Sequence, residues 1–512
     1  AAIAAMGDKA AARRAAAAHG VPMVPGYDGH DQADDRLAHE AERVGWPLLV
    51  KPAAGGGGKG MHVVRDPARL GPTVAAARRE ARAAFRDDRL ILERYLEAPR
   101  HVEVQLLFDR YGGGIHVGTR DCSTQRRHQK IVEEAPPAAV DSAVLERMGA
   151  AAVSLAAAID YRNAGTTEFL VTDDGSFHFL EMNTRLQVEH PVTEMVTGRD
   201  LVADQIHLAG GDRLGVAQRD VRLRGHAIEA RIYAEDPESG FLPATGRIAA
   251  LRWPAGDGIR VDAGVDTGDA VTDRYDPLLA KLIVHASTRP AAVARLAAAL
   301  QATRVLGVRT NVRFLRWLIA QPILVDGEMR TDTLEQTELP GPVAAPDEAW
   351  EEAARLFVSS DVSDRSVWSG GWRMNAPPIV RLASGTEQRS VTVEAHGRQP
   401  TGAVADGIAY VDVDGQSVEF TVALPPSVEE SARHAEQAAS GATALTAPMP
   451  GRVIAVRRAA GDAVAAQEPV VVVEAMKMEN AVVAPFGGTV TAVHVTEGQQ
   501  VQRGDLVAEV SA

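Results

Sequence analysis

Lysine is scarce in this 512-residue chain: only six of its 54 basic residues are Lys, at positions 9, 51, 59, 130, 281 and 477. A lysine retained against such a bias marks a task that needs a primary amine, either as a compact donor to phosphate or as a nucleophile that can be acylated. Lys477 stands between two methionines in V-V-E-A-M-K-M-E-N, Val472 to Asn480. Lys51 follows the apolar strand Pro47 to Val50 and opens K-P-A-A-G-G-G-G-K-G-M, whose glycines, Gly56, Gly57 and Gly58 among them, leave backbone N–H groups free to cradle phosphate. That loop is neither a Walker A sequence nor a G-x-G-x-x-G fingerprint. Lys9, after Met6-Gly7-Asp8, is a second amine able to meet the same phosphates.

A sharper pattern lies between Ala164 and Asn183, A-G-T-T-E-F-L-V-T-D-D-G-S-F-H-F-L-E-M-N. Asp174-Gly175 suits a two-residue hairpin turn, so opposed residues have numbers summing to 349 and Glu168 faces Glu181. Opposed like charges destabilise a strand pair unless a cation sits between them. Asn183 shares their face, and two carboxylates with an amide oxygen are hard ligands suited to Mg²⁺ held partly by phosphate oxygens. Thr184 to Pro191, T-R-L-Q-V-E-H-P, follows at once and is dense in polar groups. In G-H-A-I-E-A-R-I-Y-A, Gly225 to Ala234, alternation puts Glu229 and Arg231 on one face and Ile228 and Ile232 on the other.

The elements that carry these residues divide by composition. Up to about residue 335, helical Ala/Arg stretches alternate with Val/Ile-rich strands, an α+β body whose first helix is expected over residues 1–14. A Pro/Ala stretch near Pro340 to Pro346 interrupts it, and short alternating runs such as Ala409 to Gly415 mark a β-rich region over 345–425. Residues 427–446 are polar and Ala-rich and read as a linker, about 25 Å in root-mean-square span. The last 65 residues repeat: Pro448, Gly451, Val453, Gly461, Val464 and Val470 recur 37 positions later as Pro485, Gly488, Val490, Gly498, Val501 and Val507. Two similar β units are implied, forming a small barrel or sandwich with Lys477 on the hairpin between them.

Hydrophobic residues at 46% and charged residues at 24% fit a multidomain globular chain. A net charge of -14 argues against nucleic-acid or anionic-membrane partners, and no apolar run is long enough to span a bilayer. The single Cys122 excludes an internal disulfide and fits a reducing, cytoplasmic setting.

The motif E-A-M-K-M-E-N, the flanking A-P-M-P-G and A-P-F-G-G and the duplication resemble the biotin carboxyl carrier domain over 447–512, in which the motif lysine, here Lys477, carries biotin through an amide. A lipoyl domain shares the duplicated, flattened β-barrel but has acidic residues around its lysine. Residues 1–335 resemble the biotin carboxylase form of the ATP-grasp fold, through G-D-K at 7–9, the glycine loop, I-L-E-R-Y-L-E-A-P-R-H-V-E-V-Q at 91–105, R-D-C-S-T-Q-R-R-H-Q-K at 120–130, E-M-N-T-R-L-Q-V-E-H-P at 181–191 and E-A-R-I-Y-A-E-D-P at 229–237. That resemblance implies ATP contacts from Lys9, Lys51, the glycines, Glu93, His101 and His128, and Mg²⁺, or Mn²⁺ in its place, on Glu168, Glu181 and Asn183. It implies bicarbonate on Lys130, Arg185, Gln187 and Val188, Glu189 as general base, and Arg231 stabilising the biotin enolate. In the family a Rossmann-like subdomain precedes G-D-K, so the N-terminus is expected to be cut. Trp368 to Asn375 and the strands after it resemble the connecting domain of α subunits of methylcrotonyl- and propionyl-CoA-type carboxylases, which docks on a separate carboxyltransferase β subunit in a hetero-oligomer. A biotin protein ligase is implied as the modifying partner. The alternative is a carrier and interaction module whose ATP-grasp body is vestigial.

Overall fold

The computed structural model describes residues 2–54, 60–360, 377–393, 401–423, 442–475 and 478–511. Gly56, Gly57, Gly58, Lys477 and the Trp368–Asn375 segment lie outside the described residues.

Eight antiparallel strands form the central sheet, in the order Ile259–Ala263, Leu278–Ala286, His226–Tyr233, Gln129–Ala135, Gly114–Arg126, Arg100–Phe108, Asn163–Val171, Phe177–Asn183. Period-2 alternation gives each strand one apolar and one functional face. Val102, Val104 and Leu106 bury against the Ser142–Ala158 helix and the Lys9–Ala18 helix, which leaves His101, Glu103 and Gln105 on the opposite face. Ile228, Ala230 and Ile232 likewise pack on the helices Arg289–Ala302 and Val312–Ile319, turning Glu229 and Arg231 the other way, as alternation predicts. Each such fully buried aliphatic side chain contributes about 1.5–3 kcal/mol, enough to fix the register of the polar residues between them.

A smaller sheet, Gly26–Tyr27, Leu90–Arg94, Leu48–Pro52 and His62–Val64, brings Lys51 and Glu93 onto neighbouring strands. The expected helix over 1–14 is broken. Asp8 leaves the helical conformation, accepts from Ala11 N–H at 2.8 Å and caps a new helix at Lys9, so capping chemistry overrides the Ala-rich propensity on either side.

After a helix at Asp347–Ser360 comes a five-stranded sheet packed around Trp350 and Phe420. It joins the body through Gly307 N–H donating to Ser417 Oγ at 3.0 Å and Arg316 against Asp414 at 3.4 Å.

The C-terminal unit follows the 37-residue repeat element by element: Gly451–Val456 with Gly488–Val493, Ala463–Val464 with Gln500–Val501, Pro469–Ala475 with Leu506–Ser511. Two expectations need correction. Ala442–Thr446 is not linker but the first strand, paired with Leu506–Ser511, because its repeat mate Met478–Val483 occupies the equivalent place in the other half. The strands also form two facing four-stranded sheets, each composed of strands from both halves, rather than one continuous closed barrel. Valines 453, 470, 473, 490, 507 and 510 fill the space between them.

Candidate active site

The Glu168/Glu181 pairing is present, although not for the predicted reason. The turn closes at Thr172 and Ser176 around a three-residue loop with Gly175 at φ 75, and pairs near it sum to 348. A bulge between Glu168 and Phe169 then shifts the register by one and brings Glu168 opposite Glu181. Asn183 Nδ2 donates to Glu168 Oε1 at 2.7 Å and to Glu181 Oε1 at 3.3 Å, tying the two carboxylates together. Turning that amide over presents its oxygen beside the same two carboxylates, so the three groups fit a hard divalent cation.

Lys130 is the hub of the site. Its Nζ reaches Glu189 Oε1 at 2.5 Å, Glu103 Oε2 at 2.8 Å and Glu168 Oε1 at 3.4 Å. His101, Glu103 and Glu168 also converge closely enough to hold a metal, but the ammonium bonded to both carboxylates already fills the cation's role there. Burial favours a neutral amine, yet the carboxylates of Glu103, Glu168 and Glu189 around it push the Lys130 ammonium well above its ordinary value.

Glu189 stands at the N-cap of the His190–Thr197 helix but makes no capping bond, because its carboxylate faces inward to Lys130 and Arg231. Burial alone would push it up. Lys130, Arg231 and Arg120 outweigh burial and hold it well below the usual carboxylate range. Arg231 bridges Glu133 at 2.6 Å and Glu189 at 2.9 Å, with its remaining nitrogen 3.3 Å from the Tyr233 hydroxyl.

The other predicted residues fall around this centre. His101 Nε2 lies 2.8 Å from Glu168 Oε2, and Gln187 Nε2 donates to Glu168 Oε1 at 2.9 Å. Arg185, exposed, holds Gln187 Oε1 at 2.9 Å, and the Val188 carbonyl accepts from Lys281 at 2.8 Å. Lys51 pairs with Glu93 at 2.6 Å, and Lys9 is close enough for Lys51 to add to burial in lowering its proton affinity. His128 occupies the exposed hairpin tip after Arg126.

Sequence reasoning missed four supports. Glu103 is fully buried between Lys130 and Arg120; its i+2 spacing from His101 in H-V-E-V-Q was the available signal. Arg120, also fully buried, donates to Gln105, Thr193 and Thr166. Arg13 bonds Glu93 and the Val24 carbonyl, and Lys281 pairs with Asp262. No local pattern marks Arg120 or Arg13, because their partners are distant in sequence, and Lys281 was marked only by the scarcity of lysine, which did not point to its partners. Cys122 is buried, and burial pushes its thiol up, so it stays a neutral thiol beside Glu103 and Glu189.

Comparison with known proteins defines the class. Residues 8–217 match the carbamoyl-phosphate synthase L chain ATP-binding domain, residues 229–336 the biotin carboxylase C-terminal domain and residues 443–510 the biotin-requiring enzyme family. The biotin carboxylase domain of the Hydrogenobacter thermophilus 2-oxoglutarate carboxylase, solved with MgADP, ADP and bicarbonate, aligns with a TM-score of 0.64 and 44% identity over 65% of this chain and 74% of that one. Biotin carboxylase from Campylobacter jejuni aligns with a TM-score of 0.64 and 40% identity over 66% and 75%. The body is therefore an ATP-grasp biotin carboxylase joined in one chain to a biotinyl carrier domain, and its cofactors are covalent biotin, ATP and Mg²⁺. Methylcrotonoyl-CoA carboxylase subunit alpha of Dictyostelium discoideum is 38% identical over 96% of this chain and 78% of its own length, and the human propionyl-CoA carboxylase alpha chain 36% over 99% and 77%; both are named as mitochondrial. The chain belongs to the family of acyl-CoA carboxylase α subunits, and it carboxylates biotin at the expense of ATP. Among the described residues no helix is long and apolar enough to cross a membrane.

Proposed function

We propose that Glu189 is the general base toward bicarbonate, and that Lys130, Arg185, Gln187 and the Val188 backbone bind that anion. The observation that carries this reading is the position of one ammonium, Lys130, in contact with the base, with Glu103 and with the metal-side carboxylate Glu168. A carboxylate held this low is a weak base. An anion that draws Lys130 and Arg231 toward itself removes the two charges that depress Glu189 most, and the proton affinity of Glu189 rises as the substrate arrives.

Glu168, Glu181 and Asn183 hold Mg²⁺, which neutralises phosphate charge during transfer. Lys9, Lys51 and the glycines 56–58 hold the ATP phosphates, with Glu93 keeping Lys51 in place and His101 and His128 on the nucleotide side. Arg231 donates to the biotin ureido oxygen, where negative charge develops. Lys477 carries the biotin.

The named functions of the relatives support a separate carboxyltransferase β subunit as partner, a biotin protein ligase as modifier and a short acyl-CoA as final acceptor. The buried free thiol of Cys122 supports a reducing compartment such as the cytoplasm. The domain limits of the body, connecting and carrier units follow the composition boundaries, with the carrier beginning at Ala442.

Bicarbonate-dependent ADP release by the holoenzyme with free biotin tests the assignment. Glu189→Gln should abolish it while ATP still binds. A folded enzyme with no release above background would favour the carrier-only reading. Co-purification of the β subunit followed by assays with acetyl-, propionyl- and methylcrotonyl-CoA identifies the acceptor.

A further inference from the structure

The His226–Tyr233 strand buries a carboxyl that the mechanism does not use. Glu229 is fully buried, and neither of its oxygens has a hydrogen-bond donor. It lies directly opposite Glu133, whose Oε2 also lacks a donor while its Oε1 accepts from Arg231 at 2.6 Å. On its other side Glu229 faces Ile283, which offers nothing polar. Three orphaned carboxylate oxygens on neighbouring buried strands are expensive, at about 1–3 kcal/mol each and more when charged. Two adjacent buried carboxylates do not both stay ionised. A single proton turns one of the orphaned acceptors into a donor for another.

We propose that Glu229 and Glu133 share one proton, carried on Glu229 and donated to Glu133, and that this pair is a positioning device for Arg231. The inference rests on the proposed role of Arg231. Burial first, and Glu133 second, push the Glu229 carboxyl well above its usual range, and burial pushes Glu133 up to about 7 despite Arg231.

The charged groups facing the pair are few and already engaged. Arg231 lies on the same strand, and Lys130 and Glu189 bond each other. Lys281, on the Leu278–Ala286 strand, is held by the Val188 carbonyl and by Asp262. The His190–Thr197 helix turns Val192 and Val196 toward Ala227 and Ala135, while its His190 meets the Gln187 carbonyl and its Glu194 meets Arg260. The helices across the sheet pack apolar side chains on Ile228, Ala230 and Ile232 of this strand, and Asn311 at the start of one of them bonds the Arg231 carbonyl and the Tyr233 N–H. No cation is left for Glu229, so a proton is the remaining solution. With one negative charge on the pair, Glu133 fixes the Arg231 Nε edge, and Nη1, bonded only to Tyr233, is the nitrogen free to meet substrate.

The pair is tested by three variants and a spectrum. Glu229→Gln keeps a neutral donor, so kcat with free biotin should stay within about threefold of wild type and the acid limb of the pH profile should not move. Glu229→Ala removes the donor from Glu133, which then protonates more readily; kcat should fall about tenfold or more with the KM for ATP unchanged, and the acid limb should rise by about one unit. Two ionised carboxylates would instead make Glu229→Gln lower the acid limb by about a unit, and that result overturns the proposal. At about pH 8, where ordinary carboxyls are ionised, the infrared spectrum of the wild type should contain a neutral carboxylic acid band that Glu229→Gln lacks. No such difference also overturns it. Should Glu229→Ala fail to fold, the Gln variant and the spectrum still decide. If Arg231→Met leaves turnover unchanged while the band is present, the reading of Arg231 fails and the shared proton stands.

Discussion

Replacing Lys130 with Met tests whether the site is built around one ammonium. The substitution removes the partner of Glu189, Glu103 and Glu168 at 2.5, 2.8 and 3.4 Å. At an effective dielectric constant near 20 such contacts attract by about 5–7 kcal/mol each, most of it offset by the cost of burying the charges. Removing one partner of a buried ion pair destabilises by about 3–5 kcal/mol. Each orphaned carboxylate keeps another neighbour, Arg120 for Glu103, His101 for Glu168 and Arg231 for Glu189, which places the cost at the lower end, about 3 kcal/mol. Glu168 and Glu189 both have lowered carboxyl affinities in the folded enzyme, so their contribution is complete above the unfolded value near 4.3 and is lost as pH falls through their depressed values. Without Lys130 these values move up, so the cost should be full at about pH 6 and smaller near pH 3, below the unfolded value of about 4.3. Calorimetry of the body's unfolding at the two pH values, with hydrophobic isosteric packing at the site kept by Met, reads the difference. A gap that does not change with pH would refute the electrostatic account, and so would bicarbonate-dependent turnover reduced by less than about tenfold.

Glu181→Gln should lower Mg²⁺-dependent turnover by about two orders of magnitude or more and leave biotin attachment intact, while thermal stability without metal stays equal or rises as repulsion from Glu168 is relieved; steady-state kinetics and calorimetry check both. Lys477→Arg should abolish biotinylation by mass spectrometry, because an always-protonated guanidinium cannot attack, yet leave ATP cleavage with free biotin unchanged. Asp8→Ala should cost about 1 kcal/mol in urea unfolding through the lost cap at Ala11 and the lost Arg89 contact at 3.0 Å.

What could be read from the sequence was whatever repeats or alternates. The 37-residue duplication predicted the strands of the carrier, and alternation alone separated Glu229 and Arg231 from Ile228 and Ile232. The Glu168/Glu181 pairing was reached through a turn that does not form: the loop is one residue longer, and a bulge restores the register. Bulges of this kind depend on packing on both faces of the sheet and leave no short-range mark. Ala442–Thr446 looked like linker because it is short and flanked by polar sequence, and it becomes a strand only by pairing with residues 506–511. Arg120 and Glu133 were invisible for the same reason, since their partners come from strands brought together by topology.

The scarcity of lysine gains a physical meaning from these contacts. All four lysines in the described residues, 9, 51, 130 and 281, lie on or beside the site, and three of them already touch a carboxylate: Lys51 touches Glu93, Lys130 touches three glutamates, and Lys281 touches Asp262. The site is thus internally neutralised before any substrate enters, in a chain whose net charge of -14 would otherwise repel anions. At Lys51, Lys130 and Arg231 substrate anions gain their contacts by exchange, taking cations from glutamates, whereas Lys9 and Arg185 pair with no carboxylate among the described residues and meet the anion directly. The same exchange has a chemical result on the proposed roles. Each glutamate that loses its cation becomes a stronger base, so proton abstraction by Glu189 is tied to occupancy of the anion site, and an empty site holds its base in an unreactive ion pair.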